Sequence, residues 1–244
     1  MAKYLQLNIA KLQETIEDKQ VLAENMAHEL RNPLTSIKGF SEYLLKANVN
    51  KEDTKVALQH INSETIRLQN LCNKILNLSL IKHEQIKLKC IDIDCLISDI
   101  KKITFEKLKN KSIKLNIENK SQYIYADKEL LLSLISNLID NSINASENNK
   151  EISLKFYNTN TLSYIEVSDN GCGMEEKYIK KIFEPFFRID KVRSRDNGGA
   201  GLGLALCLSI LNLHNGDMKI ESAKDKGTTI TIILRHFNNS SKLP

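Results

Sequence analysis

A heptad seam runs through the first part of this chain and limits what that part can become. Steps of four and three from Leu5 land on Leu5, Ile9, Leu12, Ile16, Lys19, Ala23, Met26, Leu30, Pro33, Ile37, Phe40 and Leu44. Only Lys19 and Pro33 suit an apolar seam poorly, so the spacing predicts a long helix wound left-handedly against its partners. The period breaks at "KANVNKED", where Asn48, Asn50 and Asp53 offer turn and cap chemistry. A second periodic run then carries Leu58, Ile61, Thr65, Leu68, Cys72, Ile75 and Ser79. Two long helices joined by a short loop make an all-α antiparallel hairpin. One hairpin buries little, so two chains are expected to pair into a four-helix bundle.

From about residue 87 the pattern changes. "IKLKCIDI" and "SIKLNIEN" alternate and are rich in β-branched residues, which predicts strands with a helix between them. Asp127 is positioned to cap a helix through "KELLLSLISNLIDNSINAS". "EISLKFYN" and "LSYIEVSD" read as two further strands, a helix is expected from about Leu202 to Leu213, and strands near "GDMKIES" and "TTITIIL" close the chain. That order predicts an α+β sandwich, one mixed sheet covered by helices on one face. The expected divisions are a lead-in helix over 1–20, the hairpin over 21–86, the α+β domain over 87–237 and a tail over 238–244.

Composition narrows the function classes. The net charge of +5 comes from lysines spread along the 244 residues, which reads as a solvated surface and not as a nucleic-acid site. The five cysteines form no CxxC pair, which suits free thiols in a reducing cytoplasm. No apolar run approaches the ~20 residues of a membrane span. The chain as given is therefore expected to be cytoplasmic, with any membrane anchor of a longer parent lying upstream.

The glycines gather in two groups, "DNGCG" (Gly171, Gly173) and "GGAGLGL" (Gly198, Gly199, Gly201, Gly203). The second group runs directly into a helix, where free N–H groups and the positive helix end suit phosphates. Taken alone it equally suits a plain loop before a helix. Asp169 ends a strand just before the first group, where it either meets a ligand or caps a turn. Asn137 and Asn141 lie i, i+4 on one helix face, and their amide oxygens suit Mg²⁺ or solvent. There is no P-loop and no GxGxxG opening a strand–helix unit.

In order, the Asn helix, DxGxG, "FEPFFR", GxGLGL and "GTTITI" resemble the ATP-binding domain of sensor histidine kinases, members of the gyrase, Hsp90, histidine kinase and MutL superfamily. The resemblance covers residues 87–237 and implies roles. Asp169 would bond the adenine amino group, with Gly171 and Gly173 as the adjacent floor and Thr228 near the base. Asn141 would ligate Mg²⁺, with Asn137 beside it near the phosphates. Phe183 and Phe187 would anchor a lid, "DKVRSRDNGGA", with Arg188, Lys191, Arg193 and Arg195 available to phosphate charge. Gly199, Gly201, Leu202 and Gly203 would shape the lid's return over ATP. Many members follow the metal asparagine with a lysine and an aromatic residue, whereas this chain has Asn144 and Ala145.

In the heptad count His28 falls at an outward f position. It heads "HELRNPLT", which resembles the phosphoacceptor box of the same kinases. Imidazole is a good nucleophile at neutral pH, since its reference pKa is about 6.5. Glu29 is expected to hold a ring N–H, and Asn32 to orient a water for removal of phosphate from a partner. Pro33 removes the N–H that would bond the carbonyl of Glu29, and it is expected to loosen and bend the helix beside His28. The resemblance implies autophosphorylation of His28 by ATP, then transfer to an aspartate of a separate response-regulator receiver, within a homodimer. The rival readings are a clamp-type ATPase of the same superfamily and a non-catalytic dimeric scaffold. His60, His83, His214 and His236 receive no role; His214 suits a helix C-terminus as a cation.

Overall fold

The computed structural model describes residues 1–46, 49–81, 86–146, 150–189 and 200–235, the side chains of 2–15, 17 and 18 excepted. The chain divides into two compact units, Met1–Leu76 and Asn77–Pro244.

The first unit is helical. Helix α1 spans Ala2–Lys46 and runs through Pro33 without interruption; α2 spans Lys51–Leu80. Asn50 and Asp53 cap α2 reciprocally: the Asp53 N–H donates to Asn50 Oδ1 at 2.8 Å, and Asn50 Nδ2 donates to Asp53 Oδ2 at 2.9 Å. The predicted seam of α1 holds from Met26 onward, since Met26, Leu30, Ile37, Phe40 and Leu44 are half-buried, while Ile16, Lys19 and Ala23 are exposed. Pro33 corrects its own forecast. Its side chain is buried, because a compact apolar ring fits a seam even where its missing N–H weakens the helix.

The face of α2 also differs from expectation. Ala57 and Leu71 are buried, with Ile61, Leu68 and Ile75 half-buried, whereas Leu58, Thr65, Cys72 and Ser79 are exposed. The edge that α2 buries within one chain thus lies one residue before part of the forecast stripe, about 100° around the helix, and Leu58 and Cys72 of that stripe face outward. Phe40 and His60 join the two helices, their rings stacked at 4.7 Å and 4°.

The second unit is built on a five-stranded mixed sheet in the order β2-β4-β5-β7-β6. Its strands are β2 (Lys114–Asn119), β4 (Glu151–Asn158), β5 (Leu162–Asp169), β6 (Asp217–Ala223) and β7 (Gly227–Arg235). Only β2 and β4 run parallel. Strands β1 (Lys89–Asp92) and β3 (Tyr123–Ala126) form a separate antiparallel pair. The forecast missed β3 and drew β1 too long, because Ile93 already belongs to α3 (Ile93–Asn110). Alternate residues of the sheet point to one packed face. There Ile152, Leu154, Phe156, Ile165 and Ile232 meet Leu96 and Ile100 of α3, Leu134 and Leu138 of α4 (Lys128–Ala145), and Leu206 and Ile210 of α5 (Gly203–Leu213) in one core.

Asp127 caps α4 as forecast, its Oδ1 accepting from the N–H groups of Glu129 and Leu130 at 3.1 and 3.2 Å. His214 departs from its forecast. It is buried, Nε2 accepts the Asp127 N–H at 3.0 Å, and Nδ1 lies 2.8 Å from the Ile210 carbonyl. The acceptor role fixes the Nδ1–H tautomer, and burial holds the imidazole pKa below its ordinary value. This ring is a neutral strut between the end of α5 and the start of α4, not a cation on a helix dipole.

Candidate functional site

Two neighbouring clusters gather the forecast nucleotide residues of the second unit. At the first, β5 ends on Asp169, which is paired across the ladder with Thr228 of β7. Asp169 is buried, and its carboxylate accepts from Ser142 Oγ at 2.8 Å and from the Gly171 N–H at 2.9 Å. Burial raises its pKa, while the bonds from Gly171, Ser142 and Thr228 oppose that shift. The carboxylate is thus a desolvated acceptor held in shape by three donors.

The loop after Asp169 is pressed against the end of α4. The Cys172 N–H donates to the Ala145 carbonyl at 3.0 Å. A Cβ on Gly171 would lie 2.6 Å from the same oxygen, so a side chain there would push the loop away. Gly173 adopts φ +57°, a region costly for other residues, and its missing side chain clears the Ala223 carbonyl. Beside them Ser222 accepts from the Met174 N–H at 3.0 Å, donates to the Gly227 carbonyl at 3.0 Å, and lies 2.9 Å from Thr228 Oγ1.

The second cluster lies where α4 meets the start of α5. A Cβ on Gly203 would be 3.4 Å from Asn137 Oδ1 and 3.6 Å from Asn141 Oδ1, so both amides face the first residue of α5. Asn137 Nδ2 is spent on the Ser133 carbonyl at 2.8 Å. Leu202, the N-cap of α5, makes no side-chain cap bond, and among the described interactions none is made by another side chain. Amide oxygens beside an uncapped, positive helix end suit a hard cation together with a polyanion. No group of three or more His, Cys, Asp or Glu that could cage a metal occurs among the described residues. The amide oxygens of Asn137 and Asn141 are of the kind that suits a hard cation taking few protein ligands, so the residues present fit Mg²⁺.

Gly201, at φ +70°, packs against the "FEPFFR" segment: its carbonyl accepts the Phe186 N–H at 2.9 Å, and a Cβ would lie 2.7 Å from the Phe187 carbonyl. Phe187 tilts against Tyr178 at 6.2 Å, and Phe183 and Arg188 are half-buried. Lys191, Arg193, Arg195 and Gly199 lie outside the described residues. In the helical unit His28 is exposed on α1, with Glu29 half-buried and Arg31 and Asn32 exposed. A shallow groove beside them is lined by Ala27, Leu30, Arg31, Leu34, Thr35 and Lys38.

Sequence reasoning overlooked Ser142 and Ser222. Ser142 left a signal, since it falls on the inward stripe of α4 with Ile135 and Leu138, where a hydroxyl needs a partner. Ser222 left none, because its partners are the Met174 N–H, 48 positions away, and Gly227 and Thr228 across the β6–β7 turn.

Two family models match the chain: the His Kinase A (phospho-acceptor) domain over residues 18–84, and the histidine kinase-, DNA gyrase B- and HSP90-like ATPase over residues 126–237. The sensor histidine kinase WalK of Bacillus subtilis is 31% identical over 93% of this chain and 38% of its own length. The sensor protein kinase WalK of Staphylococcus aureus is 33% identical over 93% of this chain and 57% of its own. This chain thus spans roughly half or less of the curated relatives it matches. Among solved structures, the histidine kinase ThkA, in complex with the response regulator protein TrrA, shares the fold with a TM-score of 0.73 at 24% identity, over 93% of this chain and 66% of that one. No helix among the described residues is long and apolar enough to cross a membrane. With a phospho-acceptor hairpin followed by this ATPase domain, the chain belongs to the sensor histidine kinase family.

Proposed function

We propose that this protein transfers the γ-phosphoryl group of ATP to His28 and then to an aspartate of a separate response-regulator receiver domain. The observation that carries the reading is His28 itself, an exposed imidazole with no structural duty, in the same chain as a buried acceptor carboxylate and paired amide oxygens at an uncapped helix end. ThkA, a fold relative, was solved with a response regulator, which supports the same choice of partner.

Asp169 receives the adenine amino group over the Gly171 and Gly173 floor, with Thr228 beside the base. Asn137, Asn141 and the N–H groups opening α5 hold the phosphate end. Mg²⁺, when bound at Asn141, neutralises phosphate charge. The unprotonated ring nitrogen of His28 attacks the γ-phosphorus, the bond to the bridging oxygen breaks, and ADP leaves with that electron pair. Glu29 holds the other ring N–H and takes up its proton, leaving a phosphohistidine whose ring is neutral and whose phosphoryl oxygens keep their negative charge. Arg188, Lys191 and Arg193 balance phosphate charge, and Phe183, Gly199, Gly201, Leu202 and Gly203 shape the cover over the triphosphate. Asn32 orients a water that attacks the aspartyl phosphate of the regulator, breaking its P–O bond and releasing inorganic phosphate and the free carboxylate. The working unit is a cytoplasmic homodimer joined through the hairpin.

Incubation with γ-labelled ATP tests this. Acid-labile, base-stable label is expected on the protein and is expected to vanish in His28→Gln, Asn141→Ala and Asp169→Ala. Full labelling of His28→Gln would remove His28 from the mechanism.

A further inference from the structure

Ser142 lies one residue beyond Asn141 on α4, yet it serves the other end of the pocket. Hydroxyls and amides inside helices usually return their proton to the carbonyl four residues back. This protein does so repeatedly: Thr35 to Arg31, Thr65 to Ile61, Thr104 to Ile100, Asn137 to Ser133 and Ser209 to Ala205. Ser142 instead sends its proton across to Asp169 Oδ2 at 2.8 Å, between two buried residues 27 positions apart. The Gly171 N–H occupies Oδ1 at 2.9 Å.

We propose that Ser142 is a positioning residue that sets the purine specificity of the pocket, by fixing the Asp169 carboxylate as an acceptor in one orientation. This rests on the reading of Asp169 as the partner of the adenine amino group. An ionised carboxylate only accepts, so it favours a 6-amino purine and repels the 6-carbonyl of a hypoxanthine or guanine base. Burial works against that state by favouring the protonated form, which can donate to a carbonyl oxygen. The backbone donors come with the fold, whereas the hydroxyl of Ser142 is the one side-chain donor to this carboxylate among the described interactions. Asn141 and Ser142, about 100° apart around one helix, thus tie the phosphate end and the base end of the nucleotide to the same rigid element.

The test uses the full chain with Mg²⁺, ATP and inosine triphosphate, whose base carries a carbonyl in place of the amino group. Calorimetry gives both dissociation constants, and labelling gives kcat at saturating ATP. In Ser142→Ala the ATP dissociation constant is expected to rise roughly tenfold, the loss of one hydrogen bond to a charged group. The constant for inosine triphosphate is expected to stay within about twofold, and so is kcat, while Ser142→Thr, which keeps the hydroxyl, restores the preference for ATP. Loss of both nucleotides together in Ser142→Ala, an unchanged preference, or no restoration by Ser142→Thr overturns the proposal. Asp169→Asn separates the two levels. If it leaves the preference for ATP intact, the reading of the pocket fails; if it erases the preference while Ser142→Ala does not, only the role of Ser142 fails.

Discussion

The two units solve the problem of burying apolar surface in opposite ways. The ATPase-like unit is self-sufficient: Leu96, Ile100, Leu134, Ile135 and Ile152 have no exposed surface, and they are drawn from two layers. The hairpin has only two layers of one helix each and leaves Leu34, Leu58 and Ile66 about half exposed, at 52%, 53% and 50%. A surface that apolar on paired helices marks an interface. In the proposed homodimer, that exposed face of the hairpin is where the second copy packs. The difference shows where association, and not folding, governs behaviour.

The largest effect separates the units by stability. Leu134→Ala leaves a cavity between α4 and the sheet and is expected to cost about 2–5 kcal/mol. Calorimetric melting should show the loss in the ATPase-like transition alone, with the helical signal unchanged. A shift of both transitions would show that the units are not independently stable. Next comes the interface itself. Leu58→Glu sets a charge on the exposed face of α2, and sedimentation should show the dimer dissociating at concentrations at least tenfold higher, a step of about 1.4 kcal/mol or more. The melting temperature of the ATPase-like unit should not move. A dimer of unchanged affinity would mean that the exposed apolar face of α2 is not the one that pairs.

What was legible in the sequence follows the same division. Strands β4, β5 and β7, the cap at Asp127 and the glycine loops were readable because each is encoded locally, by alternation, a capping side chain or a backbone demand. Strand β3 was not, since four residues without alternation cues pair only through a distant strand. The seam of α1 was readable from Met26 onward; on α2 the period was readable, but not which residues are buried within one chain, Ala57 and Leu71, and which stay exposed, Leu58 and Cys72. Two apolar stripes one residue apart are equivalent until the neighbouring helix chooses between them. In the site, Asn137, Asn141 and Asp169 announced themselves by type and spacing. Ser142 signalled only that an inward hydroxyl needs a partner; which partner lies in a hydrogen bond spanning 27 positions.

A smaller effect tests the interior strut. His214 is buried as the neutral ring, with its folded pKa below the unfolded value of about 6.5. A depressed pKa contributes stability that is present above the unfolded value and is lost as pH falls through the folded one. Acidification from pH 7 toward pH 5 is therefore expected to lower the melting temperature of the ATPase-like unit through this ring. His214→Leu should cost about 1–2 kcal/mol at pH 7 by leaving the Asp127 N–H without its acceptor. It should also flatten that part of the pH dependence. An unchanged pH profile in the variant would assign the acid sensitivity to other groups.

The smallest effect probes the hairpin where it is most open. Gly39 sits in the interior of α1, is exposed, and has nothing within 4 Å of the position a Cβ would take. Glycine there costs the helix about 1 kcal/mol relative to alanine, because the unfolded chain loses more freedom on ordering. Gly39→Ala is thus expected to stabilise the hairpin by up to about 1 kcal/mol, read as a higher helical melting temperature at fixed protein concentration. The sign of the result carries the information. Stabilisation means that this stretch of α1 stays in water within the dimer, and that its weak propensity leaves the helix between the Pro33 turn and the loop easy to bend. Destabilisation means that a second chain approaches the α1 backbone closely at Gly39, with no room for a methyl group. The pairing surface would then take in Gly39 of α1 as well as Leu34 and the exposed face of α2.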